Sequence, residues 1–464
     1  MELVFLAILF LTMMYALGSG YPVAFALPGS AIIAIALAGI CGYLFAGESG
    51  AYFIQDGPFE WLTAGVTNFR GIYWEVERDT LIAIPLFIFM GIMLQRSRIA
   101  EDLLVTMAQL FGPIPGGLGI SVVFVGALLA ATTGIVGATV VTMGLMSLPI
   151  LIKQGYEKDF SAGLVASTGT LGQIIPPSIA LVLLGDVMSN AYQRAQNNLG
   201  IFSQKTVTVG DLFIGAIIPG IIICTSYLLY TIYKNYQNKN IVISVSAEKI
   251  GSIELIKTLA LPVFLILMVL GSIIIGIATP TEAAGIGAFG AILITIVNRK
   301  FNWNFLIETS KKTLIVTTMI FTILIGASIF SLIFRGVGGD ELIELIFNSL
   351  PGGKYAALIF VLVFIFLLGF ILDFIEICYV IVPLVAPPLL MMGFDPVWLA
   401  ILLAINLQTS FLTPPFGFSL FYLRGVADEA IETYDIYKGV IPFIVIQLLV
   451  MIIVLLIPSI LLTS

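Results

Sequence analysis

Long apolar stretches separated by short polar connections dominate the pattern of this chain. Ten of these stretches approach or exceed about 20 residues, the length of a helix that crosses a lipid bilayer. They are 3–19, 22–40, 79–94, 161–185, 211–233, 258–278, 282–298, 313–334, 397–423 and 440–462. The pattern therefore predicts an all-α polytopic membrane protein.

Four further apolar stretches are short for a crossing or interrupted by polar residues at their centres. They form two adjacent pairs, 117–133 with 137–152 and 355–372 with 376–391. Each pair could be two crossings or one re-entrant hairpin. If each pair enters and leaves on one side, 14 of the 20 basic residues fall in cytoplasmic connections, as the positive-inside rule expects.

That assignment predicts two re-entrant hairpins, 117–152 opening to the cytoplasm and 355–391 opening to the periplasm. Both ends of the chain then lie outside. The connections 186–210 and 335–354 carry few basic residues and also fall on the outer side.

Composition narrows the function classes. Of 464 residues, 59% are hydrophobic and 10% charged, with a mean hydropathy of +1.12, whereas soluble domains carry about a quarter charged residues. The chain has no histidine, and its three cysteines lie far apart. These features argue against zinc sites, haem ligation by histidine and Ser–His or Cys–His catalysis, so we expect a protein that is not an enzyme. The net charge of −7 offers no basic surface for nucleic acid.

The chain also repeats itself with an offset of 238 residues. The first set of matching positions is Pro149, Gly155, Pro176 and Pro177, and the second is Pro387, Gly393, Pro414 and Pro415. Amphipathic stretches at 99–112 and 340–350 precede the two hairpins and are expected to lie along the interface. Two halves of equal order and opposite orientation predict an inverted repeat.

Helix breaks inside membrane segments expose backbone groups that bind ions and anions. Four breaks stand out: the hairpin tips 132–137 and 372–376, and the segments 173–178 and 412–415. Hydroxyls and carbonyls at these breaks suit sodium, and the positive ends of the half-helices suit a carboxylate. The alternative is structural, with glycines permitting close helix packing and prolines kinking a helix.

Two acids, Asp373 and Glu376, lie within the predicted hydrophobic region, where an ionisable group typically marks an ion or proton pathway. For Glu376, a salt bridge or a water-filled vestibule is an equal alternative. Polar clusters precede both Pro–Pro steps and could equally form interhelical hydrogen bonds. Arg335 and Arg424 lie at span ends, where we expect them to act as interfacial anchors.

Five segments together resemble the large membrane subunit of the tripartite ATP-independent periplasmic (TRAP) transporters, over nearly the whole chain. They are LIAIPLFIFMGIML (81–94), TTGIVGATVVTMGLMSLPILIKQGY (132–156), STGTLGQIIPPSIALVLLGD (167–186), ATPTEAAGIGAFGA (278–291) and NLQTSFLTPPFGFSLFYLRG (406–425). The resemblance implies an inverted-repeat elevator-type transporter with about 11 transmembrane segments and two re-entrant hairpins. It also implies coupling to sodium without any other cofactor.

The resemblance further implies three partners in a multi-pass bacterial inner-membrane complex: a small four-helix membrane subunit, a periplasmic solute-binding receptor and a small organic anion. The expected division is 1–112 for the first scaffold helices and arm, 113–210 for the first transport domain, 211–350 for scaffold helices and the second arm, 351–426 for the second transport domain, and 427–464 for a C-terminal scaffold helix.

Site residues carried over from the family fall on the breaks. Sodium ligands are expected at Thr132, Thr133, Gly134, Thr168, Gly169, Gly369, Asp373, Asn406, Thr409 and Thr413. Substrate contacts are expected at Thr170, Pro176, Pro177, Glu376, Gln408, Pro414 and Pro415. Many family members read Ser-Gly-Ser at the first tip, where this chain has Ile135, so one hydroxyl ligand is missing there.

Two alternatives remain from the sequence. A stand-alone sodium-coupled carboxylate carrier would share the architecture without needing a receptor. A membrane-embedded enzyme or channel is disfavoured by the missing catalytic residues and by paired hairpins from opposite sides. Neighbouring genes for a small membrane protein and a secreted receptor would distinguish a tripartite transporter from a stand-alone carrier.

Overall fold

A computed structural model describes residues 2–53, 57–58, 60–61, 63, 79–97, 99–111, 116–201, 205–237 and 252–461. The regular structure in these ranges is helical. Most of the loop 41–78, expected to serve partner contact or as an interfacial cap, lies outside the described residues. Its Trp61 is described and packs beside Gly336.

The chain forms helices in the order the hydropathy pattern predicts. The first half contains α1 Glu2–Gly18, α2 Val23–Cys41, α3 Asp79–Arg96, α4 Ile99–Phe111, α5 Gly117–Thr133, α6 Val136–Lys153, α7 Lys158–Thr170, α8 Ile179–Asn198 and α9 Val209–Gln237. The second half contains α10 Ser252–Ile274, α11 Pro280–Val297, α12 Trp303–Gly336, α13 Gly339–Ser349, α14 Gly353–Leu368, α15 Phe374–Met391, α16 Pro396–Leu412, α17 Phe418–Arg424 and α18 Thr433–Leu456.

The two halves match element by element. Gly155 and Gly393, at the repeat offset, both adopt left-handed backbone angles, with φ of 85° and 86°. The Pro176–Pro177 and Pro414–Pro415 bonds are both cis. Proline ends both helices that precede these steps, because it lacks the N–H that the next turn needs and restricts the residue before it.

The helices pack in two groups. The outer group comprises α1–α3 and α10–α12, with α3 packed on α11 and α2 packed on α12. The inner group comprises both hairpins, α5–α6 and α14–α15, both broken helices, α7–α8 and α16–α17, and the helices α9 and α18. Each half of the sequence therefore contributes to both groups.

The C-terminal helix α18 packs against helices of the inner group. Gly439 of α18 lies so close to α7 that a Cβ atom on it would sit 1.8 Å from the carbonyl oxygen of Asp159. Lys438 pairs with Asp159 at 2.8 Å and Lys234 of α9 pairs with Glu157 at 3.3 Å. The division expected from the sequence, with scaffold helices in 211–350 and 427–464, stays a prediction.

Seven of the described helices are long and apolar enough to cross a membrane, or up to nine if each bent helix pair is one span. Among the described helices, four more are apolar and between 10 and 17 residues long. The short helix α13 meets α14 at an angle of 120°. The chain is thus a polytopic membrane protein with a separate amphipathic arm before the second hairpin.

Candidate functional site

A cavity of about 440 Å³ lies where the inner group meets the outer group. Both hairpin tips, the first broken helix and residues of the second broken helix line it, together with α3 and α12. The lining residues are Gln95, Gly134, Ile135, Val136, Gly137, Ala138, Val141, Gln173, Ile179, Ala180, Leu183, Val316, Met319, Ile320, Asp373, Phe374, Ile375, Phe411 and Tyr422. Three of the four breaks predicted from the sequence, 132–137, 173–178 and 372–376, therefore contribute to one cavity.

The first hairpin tip turns at Gly134, whose φ of 59° lies in the left-handed region. A Cβ atom there would come within 2.8 Å of the Ile179 nitrogen, so the tip abuts the start of α8. Ile135 precedes α6 and has no side-chain oxygen that could cap it. Thr132 and Thr133 end α5, and their side chains lie outside the described residues.

The first broken helix is held together by the hydroxyl of Ser178. This hydroxyl donates to the carbonyl of Gly172 at 2.6 Å and accepts a hydrogen bond from the Leu181 nitrogen at 3.4 Å. It therefore ties the two sides of the break and caps α8. Pro176 and Pro177 are buried and do not line the cavity.

The second hairpin tip carries a capping box built from two acids. The Asp373 carboxylate accepts a hydrogen bond from the Phe374 nitrogen at 2.7 Å, and Glu376 Oε2 accepts one from the Asp373 nitrogen at 2.9 Å. Such a box pins the start of α15. Asp373 lines the cavity, whereas Glu376 is half-buried beside it.

The second broken helix binds the second hairpin through side chains of α16. Asn406 Nδ2 donates to the Leu362 carbonyl at 2.9 Å, and Ser410 Oγ donates to the Phe366 carbonyl at 2.6 Å. Gly369 makes this approach possible, because a Cβ atom on it would lie 2.4 Å from Ser410 Oγ. Each hairpin therefore docks against the broken helix of its own half.

The remaining described residues predicted to bind sodium form hydrogen bonds within their own helices or pack tightly against a neighbouring helix. Thr168, Thr409 and Thr413 donate their hydroxyl hydrogens to backbone carbonyls four residues earlier, at 2.8, 2.7 and 2.7 Å. A Cβ atom on Gly169 would lie 2.3 Å from Val140 Cγ2, so this glycine lets α6 contact α7.

Pro414 and Pro415, predicted as substrate contacts, do not line the cavity. The Pro415 carbonyl accepts a hydrogen bond from the Tyr437 hydroxyl at 3.0 Å.

Thr170 and Gln408, which occupy equivalent positions 238 residues apart, meet at the centre of the inner group. Gln408 Nε2 donates to Thr170 Oγ1 at 3.4 Å, as does Gln447 Nε2, which also donates to the Tyr227 hydroxyl at 2.8 Å. All four side chains are buried. This network joins α7 and α9 to α16 and α18, and hence the two halves to each other.

Three polar or aromatic lining residues were not singled out as site residues from the sequence. Gln173 is 2% exposed, and its Oε1 has no hydrogen-bond partner in the described parts of the chain; its place beside the Pro–Pro step was a usable signal. Gln95 donates to Thr142 Oγ1 at 2.6 Å, and Tyr422 packs against Gly137. Their contacts come from distant parts of the chain, so no local pattern predicted them.

Within the described ranges, no group of three or more His, Cys, Asp or Glu side chains is placed to hold a metal ion. A multivalent site of clustered carboxylates is therefore not present there.

Comparison with known proteins identifies the chain. Residues 8–460 match the family described as the tripartite ATP-independent periplasmic transporter, DctM component. The chain belongs to this family. It is 26% identical over 390 residues to the C4-dicarboxylate TRAP transporter large permease protein DctM of Rhodobacter capsulatus, covering 84% of this chain and 87% of that protein.

Other relatives of this DctM-family chain are named for different substrates. The ectoine TRAP transporter large permease protein TeaC of Halomonas elongata is 28% identical, with 83% of this chain and 86% of that protein covered. The isethionate TRAP transporter permease protein DctMQ of Oleidesulfovibrio alaskensis is 28% identical over 84% of this chain, which spans 58% of that longer protein.

Two solved transporters share the fold of this DctM-family chain. The YdaH transporter of Alcanivorax borkumensis aligns with a TM-score of 0.60 and 16% identity, over 88% of this chain and 90% of that one. MtrF of Neisseria gonorrhoeae aligns with a TM-score of 0.58 and 14% identity, over 93% and 94% of the two chains. At these identities the likeness concerns the fold alone.

Proposed function

We propose that this chain is the large permease subunit of a sodium-coupled TRAP transporter that imports a small organic anion. The anion is a carboxylate delivered by a periplasmic solute-binding receptor, and a small four-helix subunit completes the complex in the bacterial inner membrane. The observation that carries this proposal is the cavity of about 440 Å³ between the two helix groups, lined by both hairpin tips.

The first residues of three helices line this cavity: Val136 of α6, Ile179 of α8 and Phe374 of α15. Helix N-termini present N–H groups and a positive dipole end, which favour a carboxylate. Asp373 already caps α15 and Ser178 caps α8, whereas Ile135 offers α6 no side-chain cap. The start of α6 is therefore our assignment for the substrate carboxylate.

Sodium belongs beside the second hairpin in this proposal. Asp373 places a carboxyl group at the cavity wall, and a bound cation would compensate the charge of its ionised form. Thr409, Thr413 and Asn406 lie on the broken helix that docks on this hairpin. Sodium would then lie at the second hairpin tip and the substrate carboxylate at the first, and the two would attract each other across one cavity.

The proposed movement is an elevator in which the inner group slides against the outer group. Among the described residues, ion pairs join helices within one group, such as Lys438 with Asp159 at 2.8 Å in the inner group and Arg96 with Glu308 in the outer one. Such pairs persist when the groups move as bodies. For this elevator we propose about 11 membrane segments, two halves of inverted orientation and two re-entrant hairpins. The moving group would include α9 and α18.

The decisive experiment is uptake into proteoliposomes that contain this chain and its small partner, with an inward sodium gradient. Uptake of a labelled carboxylate that requires both sodium and the loaded receptor supports the proposal. Uptake that proceeds in sodium-free buffer, or that is driven by ATP, would contradict it. Sodium-driven uptake without the receptor would instead establish the stand-alone carrier.

A further inference from the structure

A second cavity, of about 90 Å³, lies further along the groove between α8 and α12. Its lining comprises Asp186, Val187, Asn190, Ala191, Arg194, Leu324, Ser328, Ser331, Arg335, Tyr379 and Pro383. On both helices the polar lining begins several residues beyond the main cavity. At 1.5 Å per helical residue, the two cavities are about 15 Å apart. The distribution of basic residues assigns the C-terminal ends of α8 and α12, where this cavity lies, to the periplasmic side.

The charges in this cavity are unlike those of the main cavity. Two guanidinium groups, Arg194 and Arg335, face one carboxylate, Asp186. Asp340, on the arm α13, interacts electrostatically with both arginines from outside the lining and is exposed to solvent. The lining itself thus holds two guanidinium groups and one carboxylate, and Asp340 adds a second carboxylate from outside it.

Two hydrogen-bonding groups in this cavity have capacity to spare. Ser331 is 5% exposed, and its hydroxyl has no hydrogen-bond partner in the parts of the chain that the structure describes. Arg335 uses Nε to donate to the Ser331 carbonyl at 3.3 Å. A buried hydroxyl without a partner is costly, and a carboxylate in the cavity would satisfy it while pairing with the guanidinium group.

We propose that this cavity, built by Arg335, Ser331 and Arg194, is an outer docking site for the carboxylate group of the transported anion. Arg335 and Ser331 belong to the outer group, whereas Arg194 and Tyr379 belong to the inner group. An anion bound here contacts both helix groups at the periplasmic end of the groove before it reaches the main cavity. This inference rests on the proposed function for its substrate class, and it replaces the interfacial-anchor role expected for Arg335.

The test measures anion binding directly and needs no transport. In nanodiscs holding the full chain and its small partner, Cys41, Cys224 and Cys378 are replaced by alanine, and Ser328→Cys places one reporter thiol in the cavity. An anionic and a cationic methanethiosulfonate reagent then compete for it. The matched control is Ser349→Cys, an exposed serine on α13, and the cysteine-free chain gives the background.

The expected result is faster labelling of Ser328→Cys by the anionic reagent, and protection by acetate but not by acetamide or chloride. Arg335→Gln should reduce the preference for the anionic reagent about tenfold, the usual effect of removing one charged hydrogen-bond partner. Arg335→Lys should restore part of it, and Ser349→Cys should show no protection. Equal labelling by both reagents, no protection, or equal protection by chloride or acetamide would overturn the proposal.

Uptake provides the second readout. In proteoliposomes, Arg335→Gln should raise the KM for the substrate about tenfold while changing kcat less. An unchanged KM would also overturn the docking site. Acetate protection in a chain that shows no sodium-driven uptake would support the docking site while contradicting the proposed function, so the two failures are distinguishable.

Discussion

The first hairpin tip (132–137) and the second (372–376) meet at the same cavity but present different chemical groups. The first tip offers a left-handed glycine, Gly134, and an α-helix that Ile135 cannot cap. The second tip offers Asp373 and Glu376 in a capping box. A repeat that keeps the backbone breaks in register has therefore diverged in its side chains. We interpret this difference as a division between an anion-binding tip and a cation-binding tip.

The largest effect is expected from Asp373→Asn, which removes the charge of the second tip but keeps its size. We expect the apparent sodium affinity of uptake to fall about a hundredfold, because a charged ligand is lost. Asp395→Asn is the matched control, since Asp395 also caps a helix, accepting from the Trp398 nitrogen at 2.8 Å, but does not line the cavity. Equal effects of both substitutions would reduce Asp373 to a helix cap.

Gly134→Ala tests whether the first tip depends on its close contact. A left-handed alanine costs about 1–2 kcal/mol, and here its Cβ would also meet the Ile179 backbone. Gly393→Ala is the control, because Gly393 has a similar φ and no atom within 4 Å of an added Cβ. Thermal unfolding in detergent should show a larger loss for Gly134→Ala. Similar losses would mean that the tip is loosely packed.

Thr170→Val probes the contact that joins the equivalent positions of the two halves. It removes the acceptor of both Gln408 and Gln447, so we expect a loss of about 1.5 kcal/mol in unfolding free energy. Gln408→Met removes only one of these contacts and should cost less. Chemical denaturation of the purified chain measures both values, and the reverse order would show that the network does not centre on Thr170.

The smallest effect is expected from Ile135→Ser, which makes the first tip resemble the second by adding a helix cap. A serine cap on α6 would compete with the substrate carboxylate, and caps are worth about 1 kcal/mol. We therefore expect the KM for substrate to rise about fivefold, with Ile135→Val as the neutral control. A tighter apparent sodium affinity with an unchanged KM would instead assign this tip to a cation.

Several features of the fold were predictable from local patterns. The starts and ends of both hairpins follow from glycine and polar interruptions, and the breaks before α8 and α17 follow from Pro–Pro steps. The arms 99–112 and 340–350 appear as α4 and α13. These predictions succeeded because helix breaking is a property of a few neighbouring residues.

The division into groups and the details of the site were less predictable. Helices α9 and α18 looked like any other apolar spans, and tertiary contacts, such as the close approach of Gly439 to α7, assign α18 to the inner group. Asn406 and Ser410 bind carbonyls 44 residues away. The sodium role of Asn406 stays a prediction, because a hydrogen bond to a hairpin and a contact with an ion use the same side chain.

By itself, the sequence of this DctM-family chain determined that it spans a membrane, that it repeats, and where its helices break, since hydropathy and proline act locally. Only the tertiary structure decided that both tips share one cavity, that Gln95 and Gln173 line it, and that Arg335 lines a second cavity. Those facts depend on which helices lie side by side, and apolar helix surfaces of similar composition do not specify their neighbours by pattern alone.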